Sequence, residues 1–316
     1  MARTDVNRFL LIWIAVFGMV ALSTNMSMAA TDVGRNAADF LMIGHGARAA
    51  SLGGAYTAMA SEATAAYWNP AGLSSVEGSE VTFGHFAWYQ DITVEQASFG
   101  FPLGESFSGA LSATYVNYGT IQGYDALGQS SGDIVAYDWV GGVSLAIAFS
   151  ENFSFGLTGK YVSQRLDDIT ASAFAGDIGV RYNSESFAVG ATVVNLGSEM
   201  KFDQATEKLP TAARLGIMFR PFSDAVATSL EIEQRIQGDL YVRQGIELGF
   251  DEMYFLRAGF DYLPAQDGRS LATGISAGAG LRLSFAEFDY AFTPNDKSTS
   301  EDLHRFTLTF LLSGSR

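Results

Sequence analysis

The 316-residue chain holds no cysteine, so neither a disulfide framework nor a thiolate metal site can organise it. Cations are scarce: 19 Lys and Arg stand against 34 Asp and Glu, a formal charge of −15. That balance argues against nucleic acid as a partner, because phosphates reward Lys and Arg. The three histidines, His45, His85 and His304, are scattered singly, and none has partners at metal-ligand spacing. No metal, no cofactor and no enzymatic activity are expected. The acidic pieces "RLDD" (165–168) and "NDKSTSED" (295–302) lack the ligand order of a calcium loop and read as solvated connections. Long apolar runs are missing as well. Past Leu22 nothing approaches the ~18–20 consecutive apolar residues of a transmembrane helix.

What is present begins with an export signal. Arg3 and Arg8 precede an apolar run from Phe9 to Leu22, and Ser27-Met28-Ala29 offers small residues for cleavage after Ala29. Residues 1–29 therefore read as a secretory signal peptide. Residues 30–79 then form a stretch rich in Gly and Ala with few charges, and residues 80–316 change to a period of two.

The alternation is strict over long segments. In Asn152–Gln164, Phe153, Phe155, Leu157 and Tyr161 oppose Ser154, Thr158, Lys160 and Gln164; in Leu303–Leu312, Phe306, Leu308 and Phe310 oppose Arg305, Thr307 and Thr309. Such patterns mark β-strands with one apolar and one polar face. About fourteen segments follow, starting near Glu80, Val94, Phe107, Tyr137, Asn152, Ala171, Ser186, Thr211, Ala225, Leu240, Met253, Leu271, Phe285 and Leu303. Pro102, Pro210, Pro221, Pro264 and Pro294 fall at their ends or between them, where proline breaks no ladder. Short connections (102–106, 150–151, 183–185, 221–224, 251–252) alternate with longer ones (119–136, 165–170, 196–210, 264–270, 294–302), while 237–239 is short on the long side.

Alternation alone fits a soluble sandwich or a membrane barrel. Three features favour the barrel. The polar faces mix charges on neighbouring strands (Arg214, Glu231, Glu233, Arg243, Glu247, Arg257, Asp261, Arg282, Glu287, Asp289), as a lumen would require. Trp88, Tyr89, Tyr115, Trp139, Tyr161, Tyr182, Tyr254, Tyr262 and Tyr290 gather near strand ends, as in aromatic girdles. The chain also closes on an amphipathic, aromatic-rich strand. The expected fold is all-β: an antiparallel transmembrane barrel in the outer membrane, bathed by its lipid, with both termini periplasmic.

A barrel of that width cannot be filled by its own side chains, since about eight strands is the limit for that. The Gly/Ala segment is the expected plug. Gly44, Gly46, Gly53 and Gly54 permit tight turns and close approach to a wall. The alanines favour short, thin helices, Asn69-Pro70 suits a helix start, and Gly72 lets the chain turn toward the first strand. Arg48, set among these small residues, is expected to pair with an inward acid: Glu231, Glu247 or Asp289.

The residues "FLMIGHGARAASLGGAYTA" followed by "EATAAYWNPAGL" also resemble the PorV/PorQ family of outer-membrane barrels. More broadly they look like the FadL superfamily, whose barrels have fourteen strands and an N-terminal plug. The resemblance rests on Gly44, Gly46, Ala47, Arg48, Ala49, Gly53, Gly54 and Ala55, then Ala63, Thr64, Ala65, Tyr67, Asn69, Pro70, Ala71, Gly72 and Leu73. Members often carry an acidic pair where this chain has Ser61-Glu62. It implies two functions. PorV-like proteins serve type IX secretion, receiving cargo with a C-terminal β-domain from the translocon and handing it on at the cell surface. FadL-like proteins admit hydrophobic small molecules through the plugged lumen and sideways into the membrane. The "GHGARA" start leans to the first. An apolar lumen patch beside the plug would favour the second.

Overall fold

A computed structural model describes residues 36–88, 92–202, 205–221, 225–236, 238, 240–262, 274–294 and 302–312. The signal-peptide segment, Tyr89 and parts of the connections at 237–239, 264–270 and 294–302 lie outside the described residues.

Fourteen strands close into an antiparallel barrel in which each strand pairs with its sequence neighbours. They are β1 (Glu80–Ala87), β2 (Thr93–Pro102), β3 (Phe107–Asn117), β4 (Ala136–Ala148), β5 (Phe153–Leu166), β6 (Ile169–Asn183), β7 (Phe187–Gly197), β8 (Ala212–Phe219), β9 (Val226–Arg235), β10 (Leu240–Phe250), β11 (Tyr254–Tyr262), β12 (Ile275–Arg282), β13 (Ala286–Thr293) and β14 (Leu303–Leu311). β14 seals the wall against β1, in register from Glu80↔Leu311 to Phe86↔Arg305. Closure leaves no unpaired edge, the condition for strands to cross a bilayer. Strand starts fall within two residues of those read from the alternation, while the start read near Leu271 lies outside the described residues and β12 is described from Ile275.

The two faces divide as the alternation requires. Phe83, Leu111, Val143, Phe174, Leu215, Leu256 and Phe288 are exposed on the outside, while Thr82, Ser144, Thr158, Glu231 and Asp289 are buried inside. An apolar exterior around a polar interior inverts a soluble protein and fits a barrel in lipid. No helix among the described residues is long and apolar enough to cross a membrane, so the strands are the spanning elements.

Three connections differ from the sequence reading. The expected loop 165–170 is a tight turn: β5 and β6 run on to the pair Leu166↔Ile169, and Asp167 takes φ 54° at the bend. β4, β5 and β6, of 13, 14 and 15 residues, thereby extend past the others on the long-loop side. The connections after β3 and β7 are more than loops, since each carries a small hairpin, Ile121–Tyr124 with Ser130–Ile134 and Met200–Phe202 with Ala205–Glu207. β6 and β7 carry a bulge, with register shifting between Gly176 and Ile178. There Asp177 accepts from the Asn195 amide at 2.8 Å, and Asn195 sits at φ 58°.

The N-terminal segment fills the lumen along its length. Ala37 donates to the Lys208 carbonyl at 3.0 Å, in the connection between β7 and β8, so this end lies at the outer mouth. A 3-10 turn (Asp39–Met42), α1 (Ala47–Ser51), α2 (Ala65–Trp68) and a second 3-10 turn (Pro70–Ser75) then lead to β1 at the inner rim, where the short turns lie and where β14 also ends.

Candidate functional site

One side of the lumen, formed by β8 to β13, is built on charge along its height. β8 to β13 place opposite charges directly across from one another: Arg214↔Glu233, Glu231↔Arg243, Glu247↔Arg257 and Arg282↔Glu287. Cross-strand neighbours on one face lie close enough to pair. Glu233 accepts from Arg214 Nε at 2.7 Å and Arg243 Nη1 at 2.9 Å; Arg257 bridges Glu247 at 2.6 Å and Asp289 at 2.5 Å. These groups are buried, and their mutual pairing offsets the desolvation that isolated charges would suffer.

The plug engages this wall at few points. Arg48, on α1, donates through Nε and Nη2 to Glu247, both at 2.8 Å, and through Nη1 to Glu62 of the plug itself. Glu231 accepts from the backbone amides of Tyr56 and Thr57 at 3.0 and 2.8 Å. Glu80, at the foot of β1, accepts from Ala63 N at 2.5 Å. The Arg214 guanidinium lies over the rings of Tyr67 and Trp68, 5.3 Å from each. His45 is held neutral: burial, with Lys160 and Arg305 nearby, pulls its pKa down to about 3. Its Nε2 lies 2.6 Å from the Thr114 hydroxyl, and its ring stacks on Tyr67 at 4.4 Å.

Close approach depends on wall glycines. At Gly259 a Cβ would collide with the backbone of Leu52 and Gly53, and at Gly53, itself at φ 66°, with the backbone of Phe260. Wall and plug meet there glycine to glycine. Gly190 and Gly156 leave similar room for the backbones at Thr57 and Pro70-Ala71.

Around the outer end of the plug the contacts are different. Phe40, Leu41 and Ile43 of the plug pack with Phe86, Val94, Val116, Val162, Ala173, Met200 and Leu209 in one apolar cluster. Here the inward faces of β1–β6 are largely aliphatic and aromatic, with Asp138 bonded to Tyr118 and Gln164 and the Lys160–Asp177 pair as their buried charges. Trp88, read as a girdle residue, packs against this cluster instead, just past the end of β1 where its amide donates to the Ile92 carbonyl. At the cluster's edge Arg305 lies over the Phe86 ring at 4.1 Å and donates to the Gly44 carbonyl at 3.0 Å, while its Nε has no hydrogen-bond partner among the described residues.

The sequence-selected residues fall into three groups. Arg48 meets Glu247, whereas Glu231 serves the plug backbone and Asp289 holds Arg257. Gly46 and Gly54 occupy positive φ, at 81° and 80°; Gly44 gives room to the Trp68 ring. Asn69 accepts from Ala71 N at 3.2 Å with Pro70 at the first position, but of a 3-10 turn. Gly72 lies within the 3-10 turn Pro70–Ser75 that leads to β1, and a Cβ there would run into the Ala60 carbonyl. Tyr67 lies at the centre of the plug core between His45 and Trp68. Glu62, Glu80 and the inward wall glycines went unselected. The glycines had a signal, since an isolated Gly inside a strand marks a close backbone approach. Among the described residues no group of three or more His, Cys, Asp or Glu could hold a metal ion.

Similarity to known proteins agrees with this architecture. No curated protein matches the chain. Among solved structures it resembles the CymD monoaromatic hydrocarbon channel (14% identity, 86% of this chain and 98% of that chain, TM-score 0.60). It also resembles the Pseudomonas putida toluene transporter TodX (12%, 90% and 99%, 0.62) and a Pseudomonas aeruginosa FadL homologue (11%, 84% and 98%, 0.56). At such identities these likenesses speak for the fold. The family model of the type IX secretion system protein PorV matches residues 26–239. With an apolar exterior, a plugged polar lumen and that match across the plug and most of the wall, the chain is an outer-membrane β-barrel and belongs to the PorV family.

Proposed function

We propose that this barrel takes up hydrophobic small molecules from outside the cell into the outer half of its lumen. The apolar cluster around Phe40 and Leu41 carries the reading. Val94, Val116 and Val162 point inward against Phe40 and Leu41, and a hydrophobe entering from the outer mouth in place of those two side chains would find in them an apolar wall. Arg305, with its unpartnered Nε at the cluster's edge, would favour a ligand with an anionic or hydrogen-bond-accepting end. The similarity to channels named for monoaromatic hydrocarbons and toluene supports the same class.

The test is saturable binding of a fluorescent or isotopically labelled hydrophobe to the purified barrel, followed by flux into proteoliposomes. Val116→Asp, which charges the cluster, should abolish both while the barrel stays folded. Absence of saturable binding to the unaltered barrel would refute the uptake reading.

A second reading follows from the family match: a component of type IX secretion, handing cargo with C-terminal β-domains from translocon to cell surface. A gentle-detergent pulldown from native membranes tests it. Recovery of a very large translocon barrel with such cargo would move the assignment to secretion; recovery of the barrel alone with hydrophobes would hold it at uptake.

A further inference from the structure

The lipid-facing wall carries a concavity that the lumen chemistry does not use. On the outward faces of β1–β3, the small side chains of Ala97 and Ala113 leave a depression of about 690 Å³, bounded by Trp139 on one side and Phe306 on the other. That volume falls within the ~300–1,000 Å³ of specific ligand sites. The lining is mainly apolar, with Gln96, Thr114 and Thr307 of the wall also bordering it, and holds one ionisable pair, His85 Nδ1 lying 2.7 Å from Glu95 Oε1. Both side chains are on the outside of the barrel, 54% and 51% exposed. Ionisable groups on the lipid face are costly at the midplane and tolerated toward the interface. His85 is two residues from the outer end of β1 and Glu95 two from the outer end of β2, and Glu95 pairs in register with Tyr115, itself opposite Trp139. The polar pair thus lies at the level of the outer aromatic girdle, with the apolar floor beside it.

We propose that this depression is a fixed site for a single membrane lipid with a zwitterionic head. Its acyl chain lies over Ala97 and Ala113, and the ammonium group of its head donates to the Glu95 carboxylate beside His85. The charge pattern selects the occupant. A cationic donor meets the half-exposed carboxylate, whereas a purely apolar occupant would leave the His85–Glu95 pair unsolvated in lipid. The inference does not depend on what enters the lumen.

Trp139 gives the assay. Trp68 is buried in the plug and Trp88 packs against the lumen cluster, so Trp139 is the described tryptophan open to lipid. The full barrel is reconstituted in bilayers of a neutral host lipid with trace phosphatidylethanolamine or phosphatidylcholine carrying brominated chains, which quench on contact. Brominated phosphatidylethanolamine should quench Trp139 severalfold beyond its mole fraction. Glu95→Gln, isosteric and outside the lumen, should lose that excess, and Ala113→Phe should lose it by filling the floor. Equal quenching by both lipids in proportion to mole fraction overturns the proposal, as does an excess that survives Glu95→Gln. Native mass spectrometry showing a second copy of the chain or a non-lipid hydrophobe in place of the lipid overturns it too.

Discussion

Replacing Arg48 by methionine tests how the plug is held. The substitution keeps an unbranched stem of similar bulk up to the guanidinium and removes the charged head. Three donor contacts go: two at 2.8 Å to Glu247 and one to Glu62. The side chains involved are nearly buried, 13% exposed at Arg48 against 9% at Glu247 and 7% at Glu62. Removing one partner from a buried pair costs about 3–5 kcal/mol, chiefly because a charge stays behind unpaired. Glu247 keeps Arg257 at 2.6 Å, which sets the lower end of that range here. At about 1.4 kcal/mol per factor of ten, roughly 3 kcal/mol raises the ratio of displaced to seated plug about a hundredfold. Single-barrel recordings in planar bilayers should show long open events that the unaltered barrel lacks. Adding Glu62→Gln should restore part of the closure by removing the negative charge that Arg48 had offset, an outcome that a purely steric role for Arg48 would not give. An open fraction unchanged within about threefold, in a barrel of normal thermal stability, would refute the anchoring argument.

Three further outcomes follow from named contacts. Gly259→Ala sets a Cβ against the backbone of Leu52 and Gly53 and should cost ~1–3 kcal/mol by overpacking, read as a lower unfolding temperature and protease access to the plug, while Gly159→Ala, with open space around it, should change neither. Glu231→Gln weakens the acceptor for the Tyr56 and Thr57 amides and unbalances Arg243, a loss of ~1.5–3 kcal/mol visible in denaturant midpoints. His45 has a native pKa of about 3 against an ordinary ~6.5, so between those values the unfolded chain binds more protons and stability falls as pH falls, by about 2 kcal/mol from pH 7 to 5. His45→Gln should flatten that part of the pH profile, and an unaltered slope would place its origin elsewhere.

Much of this architecture was legible because a membrane barrel writes itself in period two. Leu303–Leu312 could be read by eye as β14, since lipid demands every second residue be apolar and the lumen leaves the others polar. The β5–β6 turn was misread for a related reason. Beyond the bilayer the two-sided pressure stops, and strands that run on into water, such as the ends of β5 and β6, lose the pattern that reveals them. Inside the lumen, legibility tracked charge. Opposite charges at similar depth on β8–β13 pointed to an ion-paired interior, but which acid meets Arg48 depends on where a helix of five residues comes to rest, and no periodicity encodes that. The outer cluster was harder still. Val94, Val116 and Val162 point inward yet look like lipid-facing residues, and only the strand register assigns them to the lumen.

The contrast between the charged and the apolar halves of the lumen wall bears on how a plugged barrel could receive a ligand without leaking. The ion pairs of β8–β13 join neighbouring strands, so the wall holds them whether or not the plug is seated. The plug adds Arg48 and two backbone amides to a network already nearly complete. No hydrophobic molecule could replace those contacts, because it offers neither a cation nor a donor to the carboxylates. Around Phe40 and Leu41 the opposite holds. Between the hydrogen bonds that tie Ala37 to Lys208 and Ala38 to Gln164, these two side chains meet Val116 and Val162 by apolar contact, and an apolar ligand could take their place with little net loss, since one hydrophobic surface substitutes for another. A ligand could therefore exchange with the 3-10 turn at Asp39–Met42 while α1 stays locked to Glu247. On that argument, Phe40→Ala should widen the outer site and raise ligand affinity or capacity without opening the pore, so that binding and conductance respond to different residues. A conductance rise in Phe40→Ala matching that of Arg48→Met would show that the plug moves as one body and that the two halves are not separable.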